Sequence, residues 1–172
     1  MQFISPAKRF ANKALKVALS LLLVVGFLPM AERKAEAAEG NVKIVEVFPG
    51  SRCRTYGLAD NGDLYLWGYG IASMDAVLTT PVKILENVAT VCDPPTSSTN
   101  YAITEDGSLY AWGSNAYGNI GDGTSNYRAT PVKVLDNVEA VDATEATAFA
   151  LTEDGVLYGW GYNDEGWVGL GF

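Results

Sequence analysis

One seven-residue pattern occurs three times, and it limits the chain to a repeat architecture. Gly62-Asp63-Leu64-Tyr65-Leu66-Trp67-Gly68 returns as Gly107-Ser108-Leu109-Tyr110-Ala111-Trp112-Gly113 and again as Gly155-Val156-Leu157-Tyr158-Gly159-Trp160-Gly161. The pattern is G-x-L-Y-x-W-G, with tryptophans 45 and then 48 residues apart. A unit of this size cannot bury its apolar face alone and has to stack on its neighbours, so the copies predict a row of similar modules sharing cores.

Two further elements keep step. Thr80-Pro81-Val82-Lys83-Ile84-Leu85, with Asn87-Val88 and Val91, matches Thr130-Pro131-Val132-Lys133-Val134-Leu135, with Asn137-Val138 and Val141; Asn41-Val42 and Val45 read as the tail of an earlier copy. After the tryptophan, Asn115-Ala116-Tyr117-Gly118-Asn119-Ile120-Gly121 aligns with Asn163-Asp164-Glu165-Gly166-Trp167-Val168-Gly169, whereas the first copy is shorter after Gly68. Ala102-Ile103-Thr104 and Leu109-Tyr110-Ala111-Trp112 are short aromatic and β-branched runs joined through Asp106-Gly107, a hairpin signal because glycine takes positive φ without strain. The hairpin recurs before Leu64 and Leu157. No stretch after residue 37 sustains a 3.6-residue apolar period, so strands in a period of 40 to 50 residues predict propeller blades.

The pattern A-L-T-x-D-G-x-L-Y-x-W-G at Ala150 to Gly161, continued by the loop from Trp112 to Thr124 and by Pro131 to Leu135, resembles the regulator of chromosome condensation repeat family. That resemblance implies an all-β fold: a partial β-propeller of about three four-stranded blades, out of a family ring of typically seven. The expected division is a tail of one repeat at 41–50, repeats at 51–95 and 96–143, and a truncated repeat at 144–172. The family places a Gly and an inward His before the A-L-T strand; Ser51 and Arg54, Thr96 and Thr99, and Thr144 and Thr147 stand there instead. Three blades do not close a ring. The expectation is therefore a segment of a longer protein, with a homo-oligomer as the alternative if the chain is complete.

Residues 1–37 read as a secretory signal peptide. Lys8, Arg9, Lys13 and Lys16 precede an uncharged stretch from Val17 to Ala31, and Ala35-Glu36-Ala37 follows as a small-residue cleavage element. Fifteen residues broken by Gly26 and Pro29 are too few to cross a bilayer, which takes about 20. Residues 38–172 are the expected exported part, secreted or at the cell surface of a bacterium, with no membrane contact after cleavage. They hold six basic and eighteen acidic residues, a net charge of −12. Such a surface repels phosphate backbones, which argues against nucleic acid. Together with the export signal it also argues against the nucleotide exchange and chromatin binding of the family's nuclear members.

The chain has no histidine, which removes Ser-His-Asp, Cys-His and H-E-x-x-H chemistry together. No cofactor or metal site is expected: the Asp-Gly pairs lack the alternating carboxylates of calcium loops and read as turns. Cys53 and Cys92 would meet an oxidising compartment, where a bridge between them is permitted; the favoured reading is two buried small apolar residues. A glycosidase needs two carboxylates, but Glu105-Asp106 and Glu153-Asp154 repeat in register, as scaffold does.

The repeated Trp67, Trp112 and Trp160, with Tyr65, Tyr110 and Tyr158, read as core packing between blades. Function is expected where the copies differ, in loops on a rigid frame. Tyr69, Tyr117, Tyr127, Tyr162 and Trp167 are the loop aromatics there, suited to contact with a protein or a cell-surface glycan. The sequence thus predicts a non-catalytic binding module of a larger secreted or surface protein. Two alternatives stand beside it: a secreted enzyme inhibitor, since the repeats are also similar to those of propeller-type β-lactamase inhibitory protein, and a carboxylate-based glycoside hydrolase.

Overall fold

In the computed structural model the described residues are 42–50, 53–69, 77–94 and 97–169. The expected signal peptide lies outside them, as do Ser51, Thr96, residues 70–76 of the loop after Tyr69, and residues 170–172. The described residues form eleven strands and no helix, arranged as three antiparallel sheets. β1 (Ile44–Gly50), β2 (Arg54–Ala59), β3 (Leu64–Tyr69) and β4 (Val77–Leu85) make the first sheet in that order. β5 (Val88–Cys92), β6 (Thr99–Thr104), β7 (Leu109–Gly113) and β8 (Arg128–Leu135) make the second, and β9 (Val138–Ala143), β10 (Thr147–Thr152) and β11 (Leu157–Gly161) the third. The architecture is a partial β-propeller, with two four-stranded blades and a third that has three strands among the described residues.

The blades begin one strand earlier than the sequence repeats. The repeat 51–95 ends in β5, yet β5 pairs with β6 and opens the second blade. The Asn-Val pairs explain the phase. Asn87 and Asn137 adopt φ of 54° and 56°, a left-handed conformation that asparagine tolerates better than most residues. From there the Val88 amide donates to Gly62 O at 2.8 Å while Asn87 O accepts from the Glu105 amide at 2.8 Å, so this linker bonds the hairpins of two successive blades. Asn137 and Val138 repeat both bonds with Glu153 and Gly107. In the first blade Lys43 O accepts from Asp60, so Ile44, not Val42, occupies the Val88 position. The alignment through Asn41-Val42 is thus two residues out of step. The Asn-Val pair misled because Lys43 and Ile44 stand where the later copies carry Asn-Val, with the same bulge following Ile44, Val88 and Val138.

The hairpin turns form as their Asp-Gly and Asn-Gly pairs predict. Asp106 Oδ1 accepts from the Ser108 amide at 3.1 Å and the Thr104 hydroxyl at 2.6 Å, and Asn61 Oδ1 accepts from the Asp63 amide at 3.1 Å. These side chains satisfy turn donors that no ladder reaches. Burial lies between blades. Tyr56, Leu58, Leu64 and Leu66 of the first blade share one core with Val88, Ala102 and Trp112 of the second; Tyr101, Ile103 and Leu109 share another with Val138, Ala148 and Ala150 of the third.

The positions where the family carries histidine hold buried polar residues. Thr99 Oγ1 donates to Ser114 O at 2.7 Å, Thr147 and Thr144 share a hydroxyl pair at 2.8 Å, and Arg54 is buried in the first blade. In the second and third blades short hydroxyls thus bond within their own blade at these positions.

Candidate functional site

Two of the repeated tryptophans cross from blade to blade. Trp112 on β7, fully buried, stands edge-on to Tyr56 of β2 at 5.9 Å, and its Nε1 donates to the Tyr56 hydroxyl at 3.3 Å. Trp160 on β11 repeats the approach to Tyr101 of β6 at 6.3 Å and donates through Nε1 to Asn119 O at 2.7 Å. Trp67 is half-buried against Gly57 of β2. Of the repeated tyrosines, Tyr65 is buried and Tyr110 half-buried, but Tyr158 is 44% exposed beside Leu157 at 62%. Among the described residues β11 pairs with β10 alone, whereas β3 and β7 are each flanked by two strands, and Tyr158 is the exposed one of the three.

The loop after each tryptophan is held from within. Asn115, itself buried, donates to Thr124 O at 2.9 Å and accepts from the Ile120 amide at 2.9 Å. Asn163 accepts from the Val168 amide at 2.9 Å in the same place of the third blade. Asn119 links two blades: Oδ1 accepts from the Tyr117 amide, Nδ2 donates to Glu145 O at 2.9 Å, and its carbonyl takes the Tyr101 hydroxyl and the Trp160 indole. Arg128 donates to Asp122 at 2.6 Å and closes the far end of the loop.

On this frame three of the five loop aromatics come together. The Tyr117 and Tyr162 ring centroids are 5.4 Å apart at 74°, and those of Tyr162 and Trp167 are 5.3 Å apart at 62°. Both are edge-to-face, the arrangement aromatic quadrupoles prefer. The outer members stay open, Tyr117 at 55% and Trp167 at 56% exposure. A ladder of rings thus spans two blades on one loop face. Tyr69 ends β3, and Tyr127, also exposed, immediately precedes β8.

An acidic group borders the ladder. Asp164 hydrogen-bonds Tyr162, and that bond together with the Asp164 charge raises the phenol pKa. Glu165, exposed, lies between Tyr162 and Trp167 in the sequence of the third-blade loop, and the backbone carbonyl of Glu145 is bound by the same Asn119 that fixes Tyr117. The hairpin carboxyls Asp106 and Asp154 lie below the usual carboxylate range, chiefly through the hydroxyls of Thr104 and Thr152. A general acid needs the opposite shift.

Both cysteines are free thiols. Cys53 is exposed, contrary to the reading of two buried residues, because it occupies a turn at φ 58°. Burial, then the charges of Asp142 and Asp93, push the half-buried Cys92 thiol up to about 11. Among the described residues no group of three or more Cys, Asp or Glu side chains is placed to hold a metal ion.

Sequence reasoning did not find Asn119. Trp167 stands at its place in the next copy, so no repeat marks it. Asn115 was findable, because Asn163 repeats it.

The comparisons agree with this architecture. A model of the regulator of chromosome condensation (RCC1) repeat matches residues 106–148, and a second model of the same repeat matches 138–166. Human E3 ubiquitin-protein ligase HERC2 is 29% identical over 134 residues, which cover 69% of this chain and 3% of HERC2. Among solved structures, human WBSCR16 superposes with a TM-score of 0.60 at 21% identity, over 73% of this chain and 34% of its own. Prp20p from Saccharomyces cerevisiae gives 0.56 at 22%, over 71% and 31%. The chain thus spans about a third of its structural relatives and a small part of HERC2. With its repeated motif, its blades and both repeat matches, the chain carries repeats of the regulator of chromosome condensation family over residues 106–166.

Proposed function

We propose that the chain is an exported, protein-binding segment of a larger β-propeller protein, and that it meets its partner through Tyr117, Tyr162 and Trp167. The propeller repeat fold suits a protein-binding module, and relatives of this fold bind proteins. Prp20p has binding properties to Gsp1p and histones, and Kap60 is bound to yeast RCC1 in a further structure. The observation that carries the reading is the ladder: rings from two blades, held by buried asparagines, leave more than half of Tyr117 and Trp167 in solvent. Exposed aromatics on a rigid frame give contact area at small entropic cost. The basic segment, apolar stretch and Ala35-Glu36-Ala37 support export.

Photo-crosslinking in the producing cell tests this. A benzophenone side chain at position 117 or 167 should trap the same partner, and one at exposed Glu86, on the turn after β4, should not. Adducts that ignore position, or none from 117 and 167, would contradict it. For export, the mature protein in the medium should begin at residue 38; retention of residues 1–37 inside the cell would refute it.

A further inference from the structure

Charge is unevenly shared among the blades. Residues 44–85 hold four acids and three basic residues, and residues 88–135 hold four and two. Residues 138–169 hold seven acids, Glu139, Asp142, Glu145, Glu153, Asp154, Asp164 and Glu165, and no lysine or arginine. Ion pairs among the described residues include Lys83 to Asp63 and Glu86, Arg128 to Asp122, and Lys133 to Asp136. None of these reaches Glu145, Asp164 or Glu165, all three exposed. The ring ladder thus spans the second blade, whose Arg128 is committed to Asp122 and Lys133 to Asp136, and the third, which has no cation of its own.

We propose that the Tyr117–Tyr162–Trp167 ladder, with Asp164 and Glu165 on its third-blade loop and Glu145 in the turn bound by Asn119, takes an extended protein segment carrying arginine or lysine at alternate positions. The inference rests on the ladder being the binding face. Cations are drawn to ring faces within about 6 Å of the centroid, most strongly for tryptophan. Alternate side chains of an extended strand lie about 7 Å apart. Flexible arginine and lysine stems at that spacing can reach the two open outer rings, Tyr117 and Trp167, which flank Tyr162 at 5.4 and 5.3 Å, and a carboxylate can take a guanidinium edge bidentately. Tyr117 keeps 55% of its surface open although Tyr162 of the third blade already packs on it, so a second contact finds room. A neutral glycan could stack on the rings but would gain nothing from the carboxylates, and on that difference charge selects the peptide.

The test titrates the full chain with a fluorescent peptide of alternating arginine and serine, with the same peptide carrying neutral citrulline, and with a neutral cello-oligosaccharide. Expected are saturable arginine-peptide binding that weakens as salt rises, and citrulline binding at least roughly tenfold weaker. The pair Tyr117→Ala and Trp167→Ala, and separately the triple Glu145→Gln, Asp164→Asn and Glu165→Gln, should each weaken the arginine peptide roughly tenfold or more. Tyr117→Phe with Trp167→Phe, which keeps the rings, should retain binding and excludes misfolding as the cause. Arginine-peptide binding that survives ring removal, equal citrulline binding, or no peptide binding would overturn the proposal. Oligosaccharide binding lost on ring removal, without peptide binding, would sink the cationic partner and leave the ladder as the binding face. Loss of crosslinks from 117 and 167 would sink both.

Discussion

The indole of Trp112 reaches back 56 residues to stand edge-on to Tyr56 and donate to its hydroxyl, and neither side chain meets solvent. This contact joins the first blade to the second. Trp112→Ala should cost about 3–5 kcal/mol by opening a cavity between them. Tyr56→Phe strands the indole N–H in a dry interface and should cost about 1–3 kcal/mol. Denaturant unfolding measures both, and Trp160→Ala, half-buried at the next interface, should cost less than Trp112→Ala.

Backbone demands differ sharply between loop glycines. Gly113 has φ 104°, and a Cβ there would lie 2.1 Å from Ser98 O, so Gly113→Ala needs the strand end to move and should prevent or severely weaken folding. Gly118 has φ 76° with nothing within 4 Å of such a Cβ, so Gly118→Ala should cost only about 1–2 kcal/mol. Equal melting points for the two variants would contradict this.

Ionisation predicts loss of stability at both ends of the pH scale. Asp106 and Asp154 have carboxyls lowered by hydroxyl and amide donors, so their contribution is present above the ordinary carboxylate range and fades as pH falls through their lower folded values. Thr104→Val should shrink the acid dependence. Tyr56 is raised to about 12 mainly by burial, against the opposing Arg54 charge and Trp112 bond. Its contribution is complete below the unfolded value of about 10 and is lost as pH rises toward 12. Tyrosinate absorbance should therefore show a late step coincident with unfolding, and Tyr56→Phe should remove part of it.

Much of the fold was legible because it is repeated. Hairpin turns, strand partners and the buried tryptophan followed from motifs whose period a reader can count. The blade phase was not, because Asn87 and Asn137 act by bonding two hairpins at once, a role only three dimensions reveal. The exposure of Tyr158 and the link through Asn119 were hidden for related reasons, since one depends on a neighbouring strand and the other has no repeated counterpart. The loop aromatics were readable one by one. Their meeting was not, because Tyr117 and Tyr162 lie 45 residues apart and touch only once blades stack.

The charge around the ladder can be read without any partner. Trp167 is 56% exposed beside Asp164 and Glu165. Its fluorescence, taken as the difference between the chain and Trp167→Phe, should be quenched readily by acrylamide and by caesium but weakly by iodide. Equal quenching by iodide and caesium would show that the carboxylates do not face the rings.

The most direct test of the account is aromatic NOE spectroscopy on the full chain. If the loops of two blades build one face, ring protons of Tyr117 and Tyr162, and of Tyr162 and Trp167, give cross-peaks as clear as those between Tyr56 and Trp112. Cross-peaks for Tyr56 and Trp112 without any between Tyr117 and Tyr162 would leave the blades standing and contradict the shared binding face.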